Sequence, residues 1–217
     1  MTLSDAHCHL QDPRLSEGGI LTLVLQECRN LGIKRWMVNA TREADWDDVT
    51  ALAKIEPGVH AAYGLHPWWQ KERSANWVVR LEELLLADPK ATIGETGLDR
   101  WMEAPDLKDQ RLVLEAHLAL SRKLDRPITL HCLKAWPELG SCIKHHPPSR
   151  RGFLLHSYSG PREEIKNWAA AGAYFSCSPA FLHPRKASIR NAFKDVPLDR
   201  LLLETDAPDM APPAGIM

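Results

Sequence analysis

The feature that most constrains the fold is an alternation, along the whole chain, between short apolar runs and longer amphipathic stretches. The runs are rich in Val, Ile, Leu, Thr and Tyr, which is typical of buried strands. Such an alternation predicts repeated βα units around a parallel sheet. Eight strands are predicted, at residues 2–5, 35–39, 59–63, 91–94, 128–131, 153–156, 173–176 and 201–204. This number favours an α/β fold of the (β/α)8 TIM barrel type.

Helices are predicted between these strands, at residues 19–31, 43–55, 75–87, 107–124, 134–145, 161–171 and 185–194. Only seven are found, because the prolines of the final APDMAPPAGIM disfavour a helix after the eighth strand. We therefore expect residues 1–217 to form a single domain that lacks the C-terminal eighth helix and is C-terminally truncated. Three consequences stay open: a destabilised protein, a partner that covers the exposed strands, or a natural product longer than this chain.

Composition and charge narrow the class of protein. Hydrophobic residues make up 44% of the 217 residues, and the formal net charge of −1 gives no overall attraction to nucleic acid or to an anionic membrane. The five cysteines include no CxxC pair, which argues against a disulfide framework or a thiolate zinc site. The polar start MTLSDAHCHL does not resemble a signal peptide. We expect a soluble, cytoplasmic protein without a membrane partner, and its oligomeric state stays open.

The first candidate site residues are His7 and His9, next to the first predicted strand. Residues two apart in an extended segment point the same way, so both imidazoles can reach one metal ion. Neutral imidazole is a common ligand of zinc and other transition metals. The pair alone is equally compatible with surface histidines or with histidines satisfied in the core.

Four further candidate ligands follow later strands: Glu95, His131, His156 and Asp206. Barrel enzymes build their active sites at the carboxyl ends of the strands, so these residues and the first histidine pair are expected on one rim. Glu95 is the natural bridge, because its two oxygens can bind two ions. A two-metal site predicts hydrolysis by an activated water. Asp206 is expected either to accept the proton of that water as well as to bind metal, or to bind metal only.

Six sequence blocks together resemble the TatD-like metal-dependent hydrolases of the amidohydrolase superfamily: DAHCHL, YGLHP, IGETGLD, LHC, HSYSG and LLLETDAPDM. The resemblance implies a TIM barrel in which His7, His9, Glu95 and Asp206 bind one ion and Glu95, His131 and His156 bind the other. It also implies a deoxyribonuclease that cleaves phosphodiester bonds, with Mg or Mn supporting activity and Zn often present.

The chain departs from the family pattern in three places. Leu133 and Lys134 stand where many members have Arg and Asp, so one phosphate contact is either lost or made by Lys134. Thr96 replaces the usual Ile in the strand-four block, which is expected to be tolerated. Members also usually continue for about 40 residues or more after the ETD block, so the outer faces of the first and last strands are expected to be exposed.

Predicted substrate contacts come from the rim loops. His66, in the GLHP segment, and Lys134 are candidates for contacts with a phosphate or a leaving group. A structural role for His66 is nearly as compatible with the sequence. Four rim tryptophans could stack on bases or simply pack in loops: Trp68, Trp69, Trp101 and Trp136. Three rim arginines could bind phosphate or remain solvated: Arg100, Arg162 and Arg185.

Three functions are therefore compatible with the sequence. The first is a TatD-like deoxyribonuclease that uses two divalent ions and the catalytic carboxylates of Glu95 and Asp206. The second keeps the ions but acts on a small phosphoester, ester or amide, which the neutral net charge would suit. The third is an inactive or scaffold homologue that retains the ligands without a complete barrel.

Overall fold

The computed structural model describes residues 2–215 and contains one eight-stranded parallel sheet in the order β1 to β8. Each strand pairs with the next one along the chain. The strands are β1 (Leu3–Cys8), β2 (Ile33–Asn39), β3 (Val59–Tyr63), β4 (Thr92–Asp99), β5 (Ile128–Leu133), β6 (Phe153–Leu155), β7 (Ala173–Cys177) and β8 (Leu201–Leu203).

The sheet curls until its first and last strands meet at their carboxyl ends. The amide of Asp206 donates to the carbonyl of His7 at 2.9 Å, and the amide of His9 donates to the carbonyl of Ala207 at 2.7 Å. These hydrogen bonds nearly close the barrel, and no strand ladder joins β1 to β8 elsewhere in residues 2–215. The predicted TIM barrel is confirmed.

Helices follow the strands as predicted. They are α1 (Pro13–Ser16), α2 (Ile20–Asn30), α3 (Trp46–Ile55), α4 (Trp77–Ala87), α5 (Leu107–Leu124), α6 (Trp136–His145), α7 (Ile165–Ala170) and α8 (Ala187–Ala192). Helices α2 to α8 occupy the seven crossovers, and α1 is an additional single turn. Within the described residues no helix follows β8, and Leu203 of that strand is 61% exposed. None of the described helices has both the length and the apolar character needed to cross a membrane.

The core lies between the barrel and the helices. Trp36 and Val38 of β2 are buried on the helix side, where the Arg29 guanidinium of α2 stacks on the Trp36 ring. Trp46 at the start of α3 is fully buried, and its indole N–H donates to the carbonyl of Gly64 at 3.0 Å. This bond fixes the beginning of the loop that follows β3, which carries a predicted site residue.

Strands β4 and β5 continue beyond their predicted ends, which changes where the site residues lie. The ladder between β4 and β5 continues through Gly97 opposite His131 and Asp99 opposite Leu133. Glu95 and His131 therefore lie within strands, whereas His156 directly follows β6 and Asp206 lies three residues after the end of β8. A Cβ atom at Gly97 would lie 1.9 Å from the carbonyl oxygen of His131, so only glycine permits this close pairing.

An apolar cavity of about 420 Å³ opens at the amino-terminal end of the barrel. Met37, Phe153 and Leu154 contribute to its walls, and none of the predicted site residues lines it. Because TIM-barrel chemistry takes place at the carboxyl end, the cluster of polar residues at that end is the better candidate for the functional site.

Candidate metal centre

Four side-chain atoms meet where β1 approaches the end of β8. His7 Nε2 lies 3.2 Å from His9 Nε2 and 3.2 Å from Glu95 Oε2. Asp206 Oδ1 lies 3.4 Å from His7 Nε2 and 3.3 Å from His9 Nε2. The distance from His9 Nε2 to Glu95 Oε2 is 3.5 Å. Two imidazoles and two carboxylates from three separate parts of the chain thus form one compact group.

These spacings match the donor set of a single ion. Donors at about 2.0–2.1 Å from a tetrahedrally coordinated metal are separated from each other by about 3.3–3.4 Å. The five distances given above span 3.2 to 3.5 Å. The residues present therefore fit a divalent cation.

The ring of His9 is oriented by the backbone of β2. Its Nδ1 lies 2.8 Å from the carbonyl oxygen of Asn39, so Nδ1 must carry the proton and donate it. The lone pair of a neutral imidazole is then on Nε2, the atom that faces the carboxylates. A hydrogen bond of this kind is the usual way in which proteins fix the tautomer of a metal-binding histidine.

The second oxygen of Glu95 faces another pair of histidines. Glu95 Oε1 lies 3.2 Å from His131 Nδ1 and 2.8 Å from His156 Nε2, and these two nitrogens are 3.3 Å apart. Each oxygen of this buried carboxylate therefore has its own pair of imidazole nitrogens. Such an arrangement is suited to two cations that share one carboxylate.

Asp99, for which the sequence analysis proposed no role, orients His131. Its Oδ2 lies 3.1 Å from His131 Nε2 and accepts the proton of that nitrogen, which leaves the Nδ1 lone pair facing Glu95. Asp99 and Glu95 lie four residues apart on β4, so they share one face of the strand. This shared face was the signal in the sequence that could have identified Asp99.

Glu204 is a second residue that the sequence analysis missed. It is buried, and its Oε1 accepts hydrogen bonds from the amide of Ser157 at 2.9 Å and from its hydroxyl at 2.5 Å. Oε2 accepts from the hydroxyl of Ser176. His156 Nδ1 lies 3.8 Å from Oε1. Glu204 therefore supports the loop that carries His156 and places a negative charge behind its ring.

Both carboxylates at the centre of the site are ionised at neutral pH. Burial alone would raise the pKa of Asp206, but its contacts with the imidazoles of His7 and His9 outweigh burial and lower that pKa. The pKa of Glu95 is also lowered, because the surrounding imidazoles outweigh the effect of its burial. Two permanent negative charges within a cage of imidazoles are well suited to bind cations.

His66 reaches the same carboxylate but differs from the other four histidines. Its Nε2 lies 3.4 Å from Glu95 Oε1, while its Nδ1 accepts a hydrogen bond from the amide of Trp68 at 3.2 Å. Burial lowers the pKa of His66 to about 3, so the ring is neutral and its proton is on Nε2. His66 is therefore arranged as a hydrogen-bond donor, which suits contact with a substrate oxygen better than metal binding.

Comparison with known proteins gives the family. Residues 4–215 match the family model described as TatD related DNase. The chain belongs to the TatD family. It is 31% identical to the uncharacterized metal-dependent hydrolase YjjV of Escherichia coli over 208 residues, which cover 95% of this chain and 79% of that protein. It is also 29% identical to the 3'-5' ssDNA/RNA exonuclease TatD of Erwinia tasmaniensis, over 87% of this chain and 74% of that protein.

Structure comparison agrees with this assignment. The crystal structure of YjjV, a TatD homologue from Escherichia coli, superposes with a TM-score of 0.91 and covers 98% of this chain and 82% of its own chain. The predicted resemblance to the TatD family and the predicted barrel are therefore both confirmed. The family implies divalent metal ions, and the cluster around Glu95 is the part of the described structure that fits them.

The predicted rim residues lie in different surroundings in this TatD family member. Lys134 is exposed after β5, and its Nζ lies 5.5 Å from the centre of the Trp101 ring. Trp101 and Trp68 are exposed. Trp69 lies under the guanidinium of Arg42, 4.6 Å away. The fourth rim tryptophan, Trp136, is partly buried and packs against the rings of Tyr158 and Trp168.

Most of the predicted phosphate-binding arginines already have partners. Arg100 forms an ion pair with Glu138, and Arg162 forms one with Asp195 at 2.6 Å. Arg185 is exposed, in the segment after β7. Positive charge on the rim is therefore largely neutralised by neighbouring acids.

Proposed function

We propose that this TatD family member is a metal-dependent nuclease that hydrolyses phosphodiester bonds in single-stranded nucleic acid. Its relatives include proteins named 3'-5' ssDNA/RNA exonuclease and metal-dependent hydrolase, which supports both parts of the proposal. The observation that carries it is the position of Glu95, with at least two histidines within 3.5 Å of each of its carboxylate oxygens.

In this proposal the site holds two divalent ions, Mg, Mn or Zn. His7, His9, Glu95 and Asp206 would bind one ion, and Glu95, His131 and His156 would bind the other. When bound, such ions stabilise charge on phosphoryl oxygens and increase the acidity of a nearby water. A set of four imidazoles and two carboxylates suits borderline transition metals at least as well as Mg.

In this proposal, the side chains of Asp206, His66 and Lys134 accept a proton or contact the phosphates. All contacts of Asp206 with the histidines use Oδ1, and Oδ2 has no hydrogen-bond partner among the described residues. We propose that Oδ2 accepts the proton of the attacking water. His66 Nε2–H would donate to a non-bridging or leaving-group oxygen of the phosphate, and exposed Lys134 would contact a phosphate further along the strand.

The test is cleavage of a fluorescein-labelled single-stranded oligonucleotide by metal-loaded protein, together with elemental analysis of the purified protein. We expect products with Mn or Mg, none with excess EDTA, and none from Glu95→Gln. Glu83→Gln is the matched control, because Glu83 is exposed on α4 and has no ion pair in the described structure. Equal activity of wild type and Glu95→Gln would refute the proposal, and metal binding without any cleavage would favour the scaffold alternative.

One observation favours a second candidate, a small phosphoester as substrate. The net charge is −1, and two rim arginines are paired with acids, so little free positive charge is present to hold a long polyanion. Under this alternative, hydrolysis of a chromogenic phosphodiester would be unaffected by excess oligonucleotide. Competitive inhibition by the oligonucleotide would support the nuclease.

A further inference from the structure

Trp68 is the exposed aromatic residue most closely tied to the candidate metal centre. It follows His66 and Pro67 in the loop after β3, and it is 56% exposed. Its ring centre lies 5.1 Å from that of His66, with the two rings nearly perpendicular. An exposed aromatic face beside a polar site offers a surface on which a planar ligand group can stack.

The indole is also held in a fixed orientation. Its Nε1–H donates to Asp99 Oδ2 at 2.8 Å, and the same oxygen accepts from His131 Nε2 at 3.1 Å. The backbone amide of Trp68 donates to His66 Nδ1. Trp68 is thus attached to two residues of the centre, to Asp99 through its ring and to His66 through its backbone. A side chain ordered before binding loses less conformational entropy when a ligand arrives.

The other rim tryptophans are less suited to receive a ligand. Trp69 is covered by Arg42 and Trp136 packs against Tyr158. Trp101 is 71% exposed, but Lys134 lies beside its ring and no hydrogen bond of its indole N–H occurs in the described structure. Trp68 is therefore the rim tryptophan that combines exposure, fixed orientation and direct connection to the site.

We infer that Trp68 is a positioning residue that stacks on an unpaired nucleobase next to the scissile phosphodiester. This inference rests on the proposed nuclease function. Every nucleobase has a π face, so stacking on Trp68 supplies affinity without sequence preference. Stacking also supplies affinity that the neutral net charge does not. A base within a duplex has both faces covered, so the contact selects single strands or frayed ends.

The experiment compares two octamers with identical phosphodiesters: an oligothymidylate and an abasic octamer that carries no bases. Wild type, Trp68→Ala and Trp68→Phe are measured by steady-state cleavage with Mn²⁺ and, independently of activity, by fluorescence anisotropy in EDTA. Both variants lose the indole N–H bond to Asp99, but only Trp68→Ala loses the ring. Trp68→Phe therefore controls for any effect that acts through Asp99 and His131.

For Trp68→Ala we expect KM and the anisotropy Kd for oligothymidylate to rise about fivefold or more, with kcat little changed. Trp68→Phe should stay close to wild type, and all three proteins should treat the abasic octamer alike. An equal loss on both octamers, or Trp68→Phe as impaired as Trp68→Ala, would overturn the inference. If no protein cleaves either octamer while the base-dependent affinity is lost in Trp68→Ala, the stacking inference stands and the nuclease function fails. Wild-type binding with equal affinity to both octamers refutes stacking whatever the activity.

Discussion

Replacement of Asp99 by Asn tests whether the metal centre depends on the tautomer of His131. Asp99 Oδ1 accepts from the amides of Trp101 at 2.7 Å and Met102 at 3.1 Å, while Oδ2 accepts from Trp68 and His131. Each oxygen thus faces two donors. An asparagine must turn its NH₂ group towards one of these donor pairs, whichever way its amide is oriented.

The consequence depends on which oxygen is lost. If NH₂ replaces Oδ2, His131 must accept at Nε2, so its proton moves to Nδ1 and faces Glu95 in place of the lone pair. If NH₂ replaces Oδ1, the two backbone amides lose their acceptor and the start of the loop after β4 must move. Loss of such a supporting carboxylate typically weakens metal binding about 10- to 100-fold, which corresponds to about 1.4–2.7 kcal/mol.

Isothermal titration of metal-stripped protein with Mn²⁺ or Zn²⁺ at pH 7 measures this change. Asp125→Asn is the matched control, because Asp125 follows α5, has a left-handed backbone that asparagine adopts readily, and pairs with Arg151 away from the centre. We expect the control to bind metal as wild type does. An unchanged Kd for Asp99→Asn would refute the argument that this carboxylate sets the tautomer of His131.

Three further predictions concern packing, pH and metal removal. Gly64→Ala should destabilise the fold by about 1–3 kcal/mol in urea titration and weaken metal binding, because its Cβ would lie 2.6 Å from the carbonyl oxygen of Glu95. The control is Gly140→Ala, whose Cβ would meet no atom closer than 3.7 Å. This control should neither destabilise the fold nor weaken metal binding. Burial lowers the pKa of His117 to about 4. The contribution of its neutral form to stability is therefore complete above pH 6.5 and is lost as the pH falls towards 4. In urea titrations over this pH range, the stability of His117→Gln should change less with pH than that of wild type, by up to about 1.4 kcal/mol per pH unit. EDTA should lower the thermal midpoint, since an ion present at 100 times its Kd stabilises the folded state by about 2.7 kcal/mol; an unchanged midpoint in a protein shown to contain metal would contradict this.

The barrel could be predicted from sequence because its signal is repeated eight times. Each strand is short and apolar, each of the first seven is followed by an amphipathic helix, and a parallel sheet with helical crossovers accommodates them together. The helix over Leu107–Leu124 was predicted with the bounds that the structure has. Strand ends were less accurate, because polar residues such as Glu95 and Asp99 interrupt the apolar run while the ladder of β4 continues.

The six candidate ligands could be proposed from the sequence because each is a strong metal donor in or near the carboxyl end of a strand. Their supporting residues were harder to find, because a supporting role is defined by contacts between strands that are distant in sequence. Glu204 meets Ser157 and Ser176 only once β6, β7 and β8 lie side by side. The contacts of the rim tryptophans could not be predicted either, since loop packing leaves no periodic signal in the sequence.

The proposed metal binding and the closure of the barrel use the same residues. His7 lies on the first strand, His9 follows that strand and Asp206 follows the last one, and the backbone amides of Asp206 and His9 make the hydrogen bonds that join these strands. Thr205 adds two bonds to Asp5 across the same seam, at 3.0 and 2.5 Å. An ion bound by His7, His9 and Asp206 would therefore connect the two ends of the sheet, which is why we expect metal removal to destabilise the whole barrel and not only its rim.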